Sequence, residues 1–518
     1  MPLSRQLALA AISGVLYFTG FVGFGFWPNT FILFVPVLFA IRNATPKRTL
    51  FVGAVFGLVT NSGGYYWVIH LLEAFANLPL PLAGLGYFLL CLYQGFLLAP
   101  VLWLVRRADR DLGVAPVWSL PVAFVALEQF YPLLFPSYVG NSLYTVTWLT
   151  QIVDVTGMLG LTVLICVVNG ALYELLVARV DGRPIRRVEV LAPAGILAAC
   201  LVYGVVQTSR WDSKTAAAET MKVGMVQTNL GARDKAQKRD EFIRRHQQMT
   251  QALIAETPDL DLVVWPESAY NRYINRRTKN LRRQVTTGID VPVIFGALTY
   301  RRIPKKKDPD VYNTAVHTSS TGAVLGFFDK VELLMFGETL PLVETFPQIE
   351  ELFPRSSTFR RGRTFAHFRT LLRDGRPPAA VLPMICYEDI IPPFVRRIWS
   401  ADGPADVLVN ITNDSWYGDT HEPLIHLVLA SFRSIETRRA LIRSTNTGIS
   451  AFVDPLGRIT HRTGQWTQET LVHDVPLIRD GGSTIYMRVG DVLAWLALAL
   501  IGFGAWRIRR QNAEATDL

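Results

Sequence analysis

Apolar positions come in long blocks near both ends of the chain and in short, strand-length runs between them. Residues 7–26, 29–41, 50–72, 82–105, 115–136, 152–178, 189–207 and 485–507 are mostly apolar. A membrane-spanning helix needs roughly 20 such residues. The second block is short, with Pro28 and Pro36 blurring its ends. The first is a poor signal peptide: its leading residues hold only Arg5, and no small-residue cleavage site follows. Between 208 and 484 the pattern changes. Residues 221–230, 261–268, 291–300, 379–389 and 406–414 each read as a buried strand running into a polar end. Residues 234–256 and 422–440 carry apolar side chains at helical spacing, and 449–462 reads as a hairpin turning at Asp454-Pro455-Leu456-Gly457. Strands interleaved with helices predict an α/β layered domain. The expected fold is a polytopic α-helical membrane domain over 1–207 with seven helices, an extracytoplasmic α/β domain over 208–484, and a final helix with a cytoplasmic tail over 485–518.

Charge orients this arrangement. Arg42, Lys47 and Arg48 follow the second block, Arg106, Arg107 and Arg110 the fourth, Arg179, Arg183, Arg186 and Arg187 the sixth, and Arg507, Arg509 and Arg510 the eighth. The alternate loops 27–28, 73–81 and 137–151 hold no Lys or Arg. The positive-inside rule then predicts a cytoplasmic N-terminus and a middle domain on the periplasmic face of the cytoplasmic (inner) membrane. The net charge of +10 does not point to nucleic acid, because much of it sits at the ends of apolar blocks. With 50% hydrophobic and 18% charged residues, the chain is poorer in charge than an average soluble protein. Glu128 and His70 lie within or beside apolar blocks. A carboxylate at membrane depth is either functional or tied up in an interhelical hydrogen bond.

Chemistry in such layered domains sits where buried strands end. Glu267 ends VVWPES, Lys330 ends LGFFDK, Glu338 follows in FGE, and Cys386 ends VLPMIC. Singly, each has an ordinary reading: a loop carboxylate, a surface ion pair, a core thiol. Together they supply a nucleophile, a base for its proton and a cation for an oxyanion. No repeat, metal-ligand cluster or phosphate-cradling glycine motif accompanies them, so no cofactor or metal is expected. Cys91, Cys166 and Cys200 fall in apolar blocks, which leaves Cys386 without a disulfide partner in its own domain.

WPES, DK…FGE and CYED, in that order, resemble the nitrilase superfamily of carbon–nitrogen hydrolases. Within it, the attached helices resemble the apolipoprotein N-acyltransferase family. VYNTA (311–315), NITNDSWYGD (410–419) and RSTNTGISAFVD (443–454) extend the resemblance. It implies an αββα sandwich and a Glu–Lys–Cys triad. Glu267 would be the general base, Cys386 the nucleophile and Lys330 the oxyanion partner. Glu338 would orient the lysine or the cysteine, while Glu388, after Tyr387, would support the pocket. Trp265 and Trp416 would face the lipid. One departure is LLMFGE, where Met335 stands in place of a proline usual to the family.

The implied reaction is a two-step acyl transfer. The donor would be a membrane glycerophospholipid, phosphatidylethanolamine at its sn-1 chain, and the acceptor the N-terminal cysteine amine of a diacylglyceryl lipoprotein. A membrane-anchored amidase or nitrilase using water as acceptor is the alternative. A transporter or receptor, in which Glu128 and His70 matter more than Cys386, is a third class. Residues 345–359, with Phe346, Leu352, Phe353 and Phe359 among prolines and polar residues, read either as a lid or as a packed surface loop.

Overall fold

The computed structural model describes residues 1–231, 239–304, 308–334, 338–339, 348, 359–480 and 482–516. The chain divides into two units: Met1–Arg210 with Thr420–Val428 and Thr484–Leu518, and Trp211–Asp419 with Leu429–Ser483.

The first unit is helical. Leu80–Leu112, Met158–Asp181, Val188–Ala217 and Val492–Glu514 are long and apolar enough to cross a membrane. Helices Leu3–Gly20, Pro46–Gly64 and Pro116–Phe130 fill three more of the predicted blocks. The short second block, expected as one spanning helix, is instead a 3₁₀ turn at Trp27–Phe31 and a helix at Val35–Ile41, each with its proline in the first turn. Asn169 repairs the break. Its Nδ2 donates to the Thr30 carbonyl at 2.9 Å, and its Oδ1 accepts from Phe34 N at 2.8 Å. Away from water, backbone groups freed by a broken helix need such partners.

The second unit is a two-sheet sandwich. Its strands are β1 (Thr220–Gln227), β2 (Leu262–Val264), β3 (Tyr270–Asn275), β4 (Val293–Arg301), β5 (Asp310–Thr318), β6 (Val324–Asp329), β7 (Phe368–Thr370), β8 (Ala379–Ile385), β9 (Val407–Thr412), β10 (Leu441–Thr445), β11 (Ala451–Val453), β12 (Ile459–Arg462) and β13 (Glu469–Pro476). One sheet runs β13-β1-β2-β4-β5-β6, with β3 also on β4; the other runs β12-β11-β10-β9-β8-β7. The runs β1-β2-β4 and β8-β9-β10 are parallel. Helix Arg239–Glu256 connects β1 to β2, and helices Pro392–Asp402 and Glu422–Thr437 connect β8 to β9 and β9 to β10. The two sheets meet: Thr445 Oγ1 donates to Gln227 Oε1 at 3.1 Å, and Ser444 Oγ reaches the Val264 carbonyl at 3.4 Å. The predicted hairpin is present, with Gly457 N donating to the Asp454 carbonyl at 2.9 Å.

Alternation along β2 decides where its tryptophan goes. Val263 and Trp265 share the core with Leu253 of helix Arg239–Glu256, on the face away from Ser444. Trp265 is fully buried, and its indole N–H donates to Thr250 Oγ1 at 2.9 Å. This corrects the lipid-facing expectation for Trp265. A strand that enters a sandwich core buries every second side chain against the helix layer.

Candidate active site

Five chain segments, carrying Glu267, Asn313, Lys330, Glu338 and Cys386, converge at one end of the sandwich. Glu267 leaves β2 through Pro266, and Ser268 turns the chain with φ of +60°. Gly296 of β4 lies under this turn: a Cβ there would fall 2.5 Å from the Glu267 Cα. Any larger residue would displace the carboxylate. Lys330 follows β6, with its N–H donating to the Asn313 carbonyl and its carbonyl accepting from Gly362 N, both at 2.8 Å. Cys386 follows β8.

Lys330 is 1% exposed, and it lies between two carboxylates. Its Nζ is 2.8 Å from Glu338 Oε2 and 3.7 Å from Glu267 Oε1. Asn313 bridges the same pair: its Nδ2 donates to Glu267 Oε1 at 2.6 Å and to Glu338 Oε1 at 2.8 Å. Glu338 Oε2 also accepts from Leu334 N at 3.0 Å, which ties Glu338 to the end of VELL (331–334). Burial alone would lower the Lys330 pKa. The Cys386 thiolate, when it forms, and the carboxylates of Glu338 and Glu267 outweigh it and hold the ammonium well above its ordinary range. The Tyr387 ring lies 5.7 Å from Lys330 Nζ, and its hydroxyl donates to the Leu333 carbonyl at 3.0 Å.

The strand reading of CYED needs correction. β8 stops at Ile385, and Cys386–Ile390 forms a 3₁₀ turn with Cys386 at φ +54°. A left-handed non-glycine residue costs about 1–3 kcal/mol and survives only where its surroundings fix it. Glu388 is one such fixture. It is fully buried; its Oε2 accepts from Ile385 N at 2.8 Å, and its Oε1 from Val331 N at 2.7 Å and Glu332 N at 3.0 Å. One side chain thus ties the cysteine turn to the residues after Lys330. Burial pushes the Glu388 carboxyl up to about 8, against these N–H donors and Lys330. The second fixture is polar and buried. Asn410 Nδ2 donates to the Cys386 carbonyl at 2.9 Å, and Asn410 Oδ1 accepts from Arg443 Nη1 at 2.9 Å. Arg443 also bonds Asp389 at 2.6 Å and Asp414 at 3.1 Å.

Burial pushes the Cys386 thiol far up. Lys330 pulls it down, and Glu267 and Glu338 push it up again. The thiol is therefore protonated at neutral pH, and a protonated thiol would need a base before it could act as a nucleophile. The cluster provides a carboxylate at Glu267, a buried cation beside it, and a thiol coupled to both.

The structure brings together Glu267, Lys330, Glu338, Tyr387, Glu388 and Cys386. Trp265 lies in the core, and Trp416 lies partly exposed on the 3₁₀ turn Asp414–Trp416. Phe346 and Phe353, with the lid they would form, lie outside the described residues; Phe359 N donates to the Glu338 carbonyl at 3.0 Å. Sequence reasoning missed Asn313, Asn410 and Arg443. Only Asn410 stands out locally, between Val409 and Ile411; all three lie in segments already conspicuous in sequence, 311–315, 410–419 and 443–454.

Residues 13–171 match the family described as Apolipoprotein N-acyltransferase N-terminal domain, and residues 222–479 match the family described as Carbon-nitrogen hydrolase. The chain is 29% identical over 509 residues to the apolipoprotein N-acyltransferase of Geobacter metallireducens, covering 96% of this chain and 94% of that one. It is 28% identical over 539 residues to that of Bdellovibrio bacteriovorus, covering 97% and 95%. Among solved structures, Saccharomyces cerevisiae Nit3, a member of branch 10 of the nitrilase superfamily, aligns at 18% identity and a TM-score of 0.37, over 50% of this chain and 90% of that one.

Proposed function

The chain belongs to the apolipoprotein N-acyltransferase family, and we propose that it moves an acyl chain from a membrane phospholipid, through a thioester on Cys386, to the N-terminal cysteine amine of a diacylglyceryl lipoprotein. The observation that carries the mechanism is the buried Lys330 between Glu267 and Glu338, coupled to the thiol of Cys386.

In the first step Glu267 takes the thiol proton as Cys386 Sγ attacks the sn-1 ester carbonyl of phosphatidylethanolamine. The carbonyl oxygen gains negative charge, which the Lys330 ammonium stabilises. Collapse breaks the ester C–O bond. The proton passes from Glu267 to the departing oxygen of the lysophospholipid, and the acyl group stays on sulfur. In the second step Glu267 accepts a proton from the lipoprotein α-amine as its nitrogen attacks the thioester carbonyl. Collapse breaks the C–S bond, forms the amide and returns the proton to the thiol. Each half-reaction restores the charge on Glu267, and the sequence is ping-pong. Glu338 and Asn313 act by holding Lys330 and Glu267 in register.

Attachment to a bilayer suits this chemistry. Drawing acyl chains into water costs about 0.8 kcal/mol per CH₂, and a domain linked to spanning helices acts where both lipid substrates reside. We place it in the inner membrane with the N-terminus cytoplasmic and the sandwich periplasmic, on the loop charges.

The test is mass spectrometry of the full chain after incubation with phosphatidylethanolamine. A gain of one acyl chain on Cys386, discharged by a diacylglyceryl peptide to give its N-acyl form, is the expected result. Free fatty acid without N-acyl peptide would turn the reading toward a hydrolase. A chain that never gains mass, in the presence of donor, would sink both.

A further inference from the structure

Helices Pro46–Gly64 and Leu80–Leu112 pack through small residues. A Cβ on Gly57 would fall 1.8 Å from the Gly95 carbonyl oxygen, and one on Gly53 would fall 2.6 Å from the Ala99 Cα. Positions 53 and 57 therefore face 99 and 95 in an antiparallel small-xxx-small contact. That register continues toward the charged end. Seven residues further, about 10 Å along each axis, it brings Pro46 level with Arg106. There a cavity of about 150 Å³ opens, lined by Pro46, Trp103, Arg106, Arg107 and Arg110.

The cavity is cationic. Arg106 Nη1 donates to Asp109 at 2.8 Å, Arg110 Nε to Asp111 at 2.6 Å, and Arg107 Nε lies 3.4 Å from Asp111. Three guanidiniums against two carboxylates leave net positive charge, before Lys47 and Arg48 in the first turn of the other helix are added. The Arg107 guanidinium lies 5.2 Å over the Trp103 ring. Arg106 Nε is shielded from solvent and has no hydrogen-bond partner among the described residues. A charged donor in that condition is costly until an acceptor arrives. An oxyanion fits, because guanidinium forks match phosphate oxygens.

We propose that this cavity binds the phosphate of an anionic phospholipid. The helix bearing Trp103 and the arginines is long and apolar enough to cross a bilayer. A headgroup at its charged end is therefore at hand, while its acyl chains stay in the hydrocarbon. Tryptophan and clustered arginine at a membrane interface suit such a headgroup. A free phosphate shares the oxyanion and lacks the anchoring. The site lies outside the groups assigned to acyl transfer and stands without that assignment.

Native mass spectrometry of the full chain, after incubation with cardiolipin, phosphatidylglycerol, phosphatidylethanolamine or inorganic phosphate, tests this. Cardiolipin and phosphatidylglycerol adducts should survive release from detergent. The triple variant R106Q/R107Q/R110Q should lose them by roughly tenfold or more. The variant D109N/D111N, which strips opposing charge, should retain more. Equal retention of phosphatidylethanolamine, or displacement of the lipid by inorganic phosphate, would overturn the proposal. So would adducts unchanged in the triple variant, or an equal loss in R186Q/R187Q, whose arginines lie outside the cavity.

Discussion

Glu128 in the helical unit and Glu267 in the sandwich are both buried carboxylates, and the chain satisfies them by different means. Glu128 accepts from Val139 N at 2.8 Å and from Thr162 Oγ1 at 2.5 Å, neutral donors on neighbouring segments. Glu267 accepts from Asn313 and lies 3.7 Å from the ammonium of Lys330, which Glu338 shares. Neutral donors fix a carboxylate in place and join segments. A shared cation also holds two carboxylates around one ammonium. The first arrangement suits a joint between helices, and the second suits proton transfer. Of the two readings open for Glu128, the hydrogen-bonded one has structural support; His70 is exposed.

The comparison can be broken in stages. The largest effect is expected at the thiol. Cys386→Ala should lower acyl transfer by about three orders of magnitude or more and abolish the thioester adduct, read by mass spectrometry. Next comes the cation. Lys330→Met leaves two buried carboxylates facing each other, which should destabilise the sandwich by about 3–5 kcal/mol in chemical denaturation and remove activity. Its counterpart Glu128→Gln should cost about 1 kcal/mol and leave acyl transfer near wild type. A dead Glu128→Gln would erase the distinction between the two regions.

Arg443→Lys should cost about 3 kcal/mol, because an ammonium cannot span Asp389, Asn410 and Asp414 together. Acyl transfer should fall as well, since Asn410 holds the Cys386 carbonyl.

Glu388 gives a pH dependence. Its folded pKa of about 8 lies above the usual 4.5. The folded chain keeps a proton that the unfolded chain releases. The stabilisation is fully present below about 4.5 and is lost as pH rises through about 8. Melting curves of wild type should show that decline, and Glu388→Gln should lack it; parallel curves would refute the assignment. The smallest effect is expected at Trp265→Phe. It forfeits the bond to Thr250, about 1 kcal/mol, and should leave phospholipid turnover unchanged. A large change in turnover would restore a lipid-facing role.

Much of the second unit was legible in sequence because burial leaves a local trace. The five strand-like runs and the Asp454–Gly457 turn were visible as apolar runs and turn chemistry, and each is present in the fold. Glu267, Lys330 and Cys386 were legible as polar groups placed where such runs end. Pro28 and Pro36 marked the second block as irregular, because proline acts locally, but the break between Phe31 and Val35 was not legible.

Other features came only with three dimensions. Whether Trp265 faced lipid or core depended on which face of β2 met helix Arg239–Glu256, and alternation along a strand does not name its neighbours. Cys386 takes a left-handed turn instead of extending β8, because Glu388 reaches back to Ile385 and across to Val331 and Glu332. Asn313, Asn410 and Arg443 read as ordinary polar residues until chain packing set them between charges. Local sequence determined which segments could be buried and where reactive groups would emerge. The tertiary structure decided which charges meet, because the 3.7 Å between Lys330 and Glu267 spans 63 residues of chain, and no local pattern records that distance.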